Sequence, residues 1–239
     1  MHFDGFPKKS LDFLKTLRKN NTKEWFETHR SEYDELILEP SRAFVTEMGE
    51  HLQAFVPTIN AVAKINGSLF RIYRDIRFSK DKTPIKSRIG IIFWQGTGRR
   101  MQSSSFYLHF SPDELFFATG IRGFSQEMLK SYRKYIAVEK NRKALYEIMD
   151  KLKQKGYLLP DPRYKRYPKG FDKESRYAEL SLMGSVYAYK VFEPQEYLFS
   201  QKLVNKAYEL YEEMYDLHQW VYEMTLNADK SGSGRSMSL

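Results

Sequence analysis

The sequence predicts an α+β fold: an antiparallel β-sheet packed against several helices, with long helices near the N- and C-terminal ends. Three observations lead there. Apolar residues recur at helical spacing through the first fifty-odd residues and again near 125–155. The middle of the chain carries short alternating runs separated by turn residues. The last third holds a long stripe at spacings of four and three, Leu203, Ala207, Leu210, Met214, Leu217, Val221 and Met224.

Taken in order, Ser10 is a candidate N-cap for a helix carrying Leu11, Leu14 and Leu17, with Asn20 and Asn21 as its stop. Thr22 caps a second helix whose apolar face is Trp25, His29, Tyr33, Leu36 and Ile37. Pro40 suits the first turn of a third, which Phe44, Val45, Met48, Leu52 and Phe55 continue until Pro57. Residues 87–95 read as a strand and Gly96-Thr97-Gly98 as a turn. Residues 106–110 and 115–119, joined by Ser111-Pro112-Asp113, read as a hairpin, and so short a connection implies antiparallel pairing. Ser125 caps a helix with Met128, Leu129, Tyr132 and Ile136 inward; Asn141 is a candidate cap for another, ending at Gly156. Residues 160–173 form a long loop, 177–183 a short helix and 185–192 a strand. The C-terminal stripe reads as one long amphipathic helix packed within the chain; a dimer seam is the less favoured reading. The expected organisation is one domain over 1–226 followed by a disordered Gly/Ser-rich tail, 227–239.

There is no cysteine, which excludes disulfides, a thiolate nucleophile and Cys-ligated metal centres. His2, His29, His51 and His218 show no metal-ligand spacing, so neither metal nor cofactor is expected. The first residues do not read as a signal peptide, and no apolar stretch approaches a membrane span. Cytoplasmic localisation without membrane contact is the expectation.

Charge is the most informative property. The formal net charge is +9. Segment 71–88 holds seven Lys/Arg and two Asp; segment 163–173 holds five Lys/Arg and one Asp. These two stretches account for the entire surplus. Concentrated charge reads as a field directed at an anion. Within the first, Arg74 and Arg77 offer planar forks of donors suited to phosphate or carboxylate. Lys80, Lys82 and Lys86 add point charge, Ser79 can donate a hydroxyl, and Asp75 can orient the cations. Tyr107 and His109 on the hairpin strand, and Lys169 in the second basic segment, complete the candidate ligand-binding set. For His109 a structural hydrogen-bonded role competes with an acid–base role. The competing reading of both segments is a solvated basic surface with local ion pairs. Gly96, Gly98, Arg99 and Arg100 lack the third glycine of a dinucleotide fingerprint and the Lys-Ser/Thr of a P-loop; Ser103, Ser104 and Ser105 lie in no nucleophile elbow.

Several pieces together resemble one family. They are Phe3-Asp4-Gly5-Phe6-Pro7, Asn20-Asn21-Thr22-Lys23-Glu24-Trp25-Phe26 with Arg30 and Tyr33, the long run from Arg71 to Pro84 with Lys86 and Gly90, then Phe106-Tyr107-Leu108-His109 and Pro168-Lys169-Gly170-Phe171. The chain is similar to the DUF2461 family of conserved proteins without assigned function, up to roughly Leu226. Ile85 stands where the family pattern has an aromatic. The resemblance implies an α+β fold and names no reaction and no catalytic residue.

Three partner classes follow from the charge. An anionic small molecule bearing phosphate or carboxylate, held near Arg74–Lys86 with loop 163–173 as a lid, is the first. Nucleic acid, through phosphate contacts and aromatic stacking, is second. An acidic protein partner is third.

Overall fold

A computed structural model describes residues 2–194 and 196–232, the last five as backbone only. The strands form one five-stranded antiparallel sheet in the order β1-β2-β3-β4-β5: β1 Ile59–Asn60, β2 Ile89–Gln95, β3 Ser105–Phe110, β4 Leu115–Ile121 and β5 Val186–Phe192. The alternation expected on β3 is met on one face, where Phe106, Leu108 and Phe110 are fully buried.

The described chain divides into two compact units. Those residues of Met1–Phe93, Tyr107–Phe117 and Val191–Leu210 form the first, and those of Trp94–Phe106, Ala118–Lys190 and Tyr211–Leu239 the second.

The first unit opens with α1, Lys9–Lys19, which buries Phe13, Leu14 and Leu17 on one face. Ser10 is not its cap. The helix begins one residue earlier, and the buried Ser10 hydroxyl instead donates to the Leu36 carbonyl at 2.8 Å. Thr22 does cap α2, Lys23–Thr28, accepting from the Trp25 amide. The stripe from Trp25 to Ile37 is interrupted. After His29 come α3, Arg30–Tyr33, a π-helical turn, Asp34–Leu38, and then α4, Glu39–Gln53, with Pro40 in its first turn. The wider turn admits an extra residue, so Leu36, Ile37 and Leu38 are all buried. Aromatic edges close this core: Phe3 packs on Phe6 and Phe44 at 5.4 and 5.1 Å, and Phe6 lies 4.4 Å from Phe110.

In the second unit, Ser125 caps α5, Gln126–Ala137, as its spacing predicts. Asn141 does not cap α6, Glu139–Gln154. It lies inside that helix and donates to the Tyr135 carbonyl at 3.1 Å. Tyr132, fully buried, donates to the Leu180 carbonyl at 2.7 Å and packs against Phe124. Gly120 on β4 has φ +123°, and a Cβ there would lie 2.2 Å from the Val186 carbonyl oxygen, so only glycine permits that approach of β4 to β5.

The C-terminal stripe is carried by two helices, not one: α7, Lys202–Glu213, and α8, Tyr215–Gly232, with the break at Met214. All seven stripe residues are buried within the chain, which removes the dimer-seam reading. Residues 233–239, the remainder of the segment read as a tail, lie outside the described residues. Among the described residues no helix is long and apolar enough to cross a membrane.

Candidate functional site

Residues 71–88 double back on themselves. The Arg74 amide donates to the Pro84 carbonyl at 2.8 Å and the Lys86 amide to the Ile72 carbonyl at 2.9 Å, with Tyr73 bridged antiparallel to Ile85. Ile72 and Ile85 are buried beneath this small hairpin and anchor it. Asn21 clamps it from outside: its side-chain amide donates to the Ile85 carbonyl at 2.9 Å and its oxygen accepts from the Ile85 amide at 3.0 Å. The Tyr73 hydroxyl donates to Glu27. Ile85 is therefore a buried anchor, held by its backbone, with no stacking surface on offer.

The Asn21 clamp makes a direct prediction. Asn21→Ala leaves two backbone polar groups of Ile85 without their partners, at a cost of about 1–3 kcal/mol. Urea denaturation should register that loss, and hydrogen exchange over 71–88 should accelerate. Unchanged exchange in that segment would show that the clamp does not hold the hairpin.

Folding the hairpin brings Arg74 and Lys86 onto a groove of about 690 Å³ in the first unit. The same groove receives Arg18 from α1, Arg88 from the start of β2, and Asp113 and Glu114 from the β3–β4 turn. A volume of this order suits a small ligand.

Most of these charges are already paired. Arg74 pairs with Asp81 and donates to Thr83 Oγ1 at 2.6 Å. Asp81 accepts from the Thr83 amide at 2.9 Å and from its hydroxyl at 2.7 Å; these bonds, then Arg74, hold its carboxyl down to about 2. Arg18 pairs with Asp113 at 2.7 Å, which holds that carboxyl below its ordinary value. Lys86 donates to the Arg71 carbonyl at 2.7 Å. Arg88 is exposed, and no hydrogen bond or ion pair engages it among the described residues.

The other candidates sit elsewhere. Arg77 grips Asp75 bidentately, Nε to Oδ1 at 3.0 Å and Nη2 to Oδ2 at 2.7 Å. That grip and the Arg77 amide hold the Asp75 carboxyl down to about 2. Asp75 thus orients Arg77, as its spacing suggests, but neither lines the groove. Lys82 donates to the Ile76 carbonyl at 3.0 Å; Lys82, Ser79 and Lys80 also lie off the groove. Tyr107 packs on Phe70 and leans over Gly90, where a Cβ would lie 2.9 Å from its hydroxyl. His109 is buried and stacked on Phe116 at 4.7 Å, with Nε2 2.7 Å from Glu114 Oε1. It reaches the groove through Glu114. Lys169 is exposed and belongs to the second unit.

Arg18, Arg88, Asp113 and Glu114 line the groove but were not among the sequence candidates. The hairpin register carried a signal for Glu114: residues 109, 114 and 116 share one face across a Ser111–Glu114 turn, which the Ser111 amide closes onto the Glu114 carbonyl at 2.8 Å. Nothing local marks Arg18, at the end of a helix some fifty residues away. Among the described residues no group of three or more His, Asp or Glu is placed to hold a metal ion.

No curated protein matches the chain. A family model described as "Conserved hypothetical protein (DUF2461)" matches residues 9–220, most of the sequence and both strands of the basic hairpin, and the chain belongs to that family.

Proposed function

We propose that the groove beside the basic hairpin binds an anionic small molecule, with Arg88, Lys86 and Arg74 supplying the donors. The observation that carries this reading is Arg88. Among the described residues it is the groove arginine without a protein acid, while Arg74 and Arg18 are held in place by Asp81 and Asp113. With its neighbouring cations held in place, the groove leaves the ordering cost on binding mainly to Arg88.

The test is calorimetry and thermal shift at low ionic strength with phosphate, sulfate and citrate. Binding should raise the melting temperature with the logarithm of anion concentration once that exceeds Kd. Arg88→Ala should weaken binding about 10–100-fold, the range of a lost hydrogen bond to a charged group. No stabilisation by any of these anions would overturn the reading.

One observation favours a second reading, nucleic-acid contact. Phe78 at the hairpin tip is 94% exposed, with the Arg77 guanidinium 5.8 Å from its ring centroid. An exposed ring beside cations suits base stacking. Binding to single-stranded oligonucleotides that falls with salt and is lost in Phe78→Ala would support it, and salt-independent binding would reject it.

A further inference from the structure

The groove is not uniformly cationic, and the exception is informative. Two of its three carboxylates are occupied by the groove's own arginines, Asp81 by Arg74 and Asp113 by Arg18. Glu114 is not. Its Oε1 is held at 2.7 Å by Nε2 of His109, whose ring is buried and stacked on Phe116. Its backbone is fixed as well. The Ser111 hydroxyl accepts from the Asp113 and Glu114 amides at 3.2 Å each, and Ser111 is buried. Oε2 has no hydrogen-bond partner among the described residues.

The His109 bond opposes any swing of this carboxylate out of the groove when an anion arrives. Toward a bare anion it is a like charge and opposes binding. Toward a ligand that also carries hydroxyl or ammonium hydrogens it is a ready acceptor, since an ionised carboxylate has about four lone-pair sites and His109 uses one. A groove that held only simple anions would be better served by a neutral residue at this position.

We infer that the ligand of this groove is a small phosphate- or carboxylate-bearing molecule whose other end donates hydrogen bonds, with Arg88 and Lys86 taking the anionic end, Glu114 taking the donor end, and His109 acting as a positioning residue for Glu114. This rests on the anion-binding reading above and adds the second half of the ligand. The donor has two chemical sources, sugar-type hydroxyls and a primary ammonium, and the groove's chemistry fits both.

Calorimetry with inorganic phosphate, ribose 5-phosphate and phosphoethanolamine tests it, on the full-length protein and on Arg88→Ala, Glu114→Gln and Glu114→Ala. The parent should bind at least one of the two esters about tenfold or more tighter than inorganic phosphate, as one added hydrogen bond to a charged group implies. Both Glu114 variants should erase that margin while binding inorganic phosphate as well as the parent or better. Arg88→Ala should weaken all three probes. The ester with the larger margin identifies the donor. Glu114 is half-exposed, and a matching melting temperature in the absence of ligand confirms that its variants fold. Equal affinity of the parent for phosphate and both esters overturns the inference and leaves the anion reading standing. So does a Glu114→Gln loss as large for phosphate as for the esters. If none of the three probes binds, both readings fall together.

Discussion

Gly5→Ala is expected to destabilise the protein by about 3 kcal/mol or more, the sum of a strained backbone and a steric clash that cannot relax. Gly5 sits at φ +108°, where an L side chain is strained. A Cβ there would lie 2.3 Å from the Ser200 nitrogen and 2.4 Å from the Phe199 carbonyl carbon, both backbone atoms. Neither can rotate away as a side chain would. The neighbouring bonds fix the segment further: the Phe6 amide donates to the Leu198 carbonyl at 3.0 Å, and the Phe3 amide to Glu47 at 2.8 Å. Phe3 and Phe6 are both core residues, so a shift of this segment disturbs the aromatic cluster with Phe44 and Phe110. At about 2–4 °C per kcal/mol for a chain of this size, the melting temperature should drop by about 6–12 °C. Gly123→Ala is the matched control, because nothing among the described residues lies within 4 Å of its added Cβ and its φ is not positive. It should change stability by about 0.5 kcal/mol or less. Equal melting temperatures for the two variants would show that the approach of residues 199–200 to Gly5 is not a tight one.

Acidification should weaken the fold through His218 before the carboxylates contribute. This residue is fully buried and stacked on Phe106 at 4.2 Å. Its Nε2 lies 2.9 Å from the Gln95 side-chain oxygen and its Nδ1 3.1 Å from Ser104 Oγ. Ser104 also donates to the His218 carbonyl at 2.8 Å. Burial pushes the imidazole down to about 3, against 6.5 for an exposed one. Below 6.5 the unfolded chain takes up a proton that the folded chain refuses. Stability is therefore complete above pH 6.5 and falls as pH drops toward 3, by about 1.4 kcal/mol per pH unit. Between pH 6.5 and 5 the loss amounts to about 2 kcal/mol on that slope, a window above the ordinary carboxylate range. Urea midpoints at pH 8, 6.5 and 5 measure it. His218→Phe should be less stable than the parent at pH 8, since the Gln95 and Ser104 side chains lose a partner, and should show a flatter profile down to pH 5. A parent profile that is already flat from pH 6.5 to 5 would show that His218 becomes protonated within the folded state.

Glu213 acts in the same direction, at lower pH. Its carboxyl is held below the ordinary value chiefly by the Tyr157 hydroxyl at 2.6 Å, then by Lys155 and Lys190. That contribution is present above the ordinary carboxylate value and is lost as pH falls from there toward the depressed one. Of the two, His218 acts alone between pH 6.5 and 5, and at lower pH their losses add.

Local patterning made most elements legible. The β2, β3, β4 and β5 runs, the Thr22 and Ser125 caps, and the helical 3₁₀ turn Ala178–Leu182 all lie where period and cap chemistry place them. The two misread caps share one cause. Ser10 and Asn141 have the chemistry of caps, but each found a different carbonyl: Leu36, distant in sequence, for Ser10, and Tyr135, one helix earlier, for Asn141. The break at Met214 leaves the stripe buried on both sides, so the apolar spacing carries no trace of it.

The sequence by itself determined the fold class, the family and the place where the positive charge is concentrated. Those properties are local: they depend on spacing along the chain and on side-chain chemistry counted residue by residue. Only the tertiary structure decided which of the charges are committed. Asp75 takes Arg77, Asp81 takes Arg74, and Arg18 arrives from α1 to take Asp113, while among the described residues Arg88 keeps no acid and Glu114 is braced by a buried histidine. Electrostatic pairing depends on separation in space. For Arg18 and Asp113, close in the fold but far apart along the chain, that separation exists only after folding. The basic segment could be read directly from the residues, but the groove it helps to form could not.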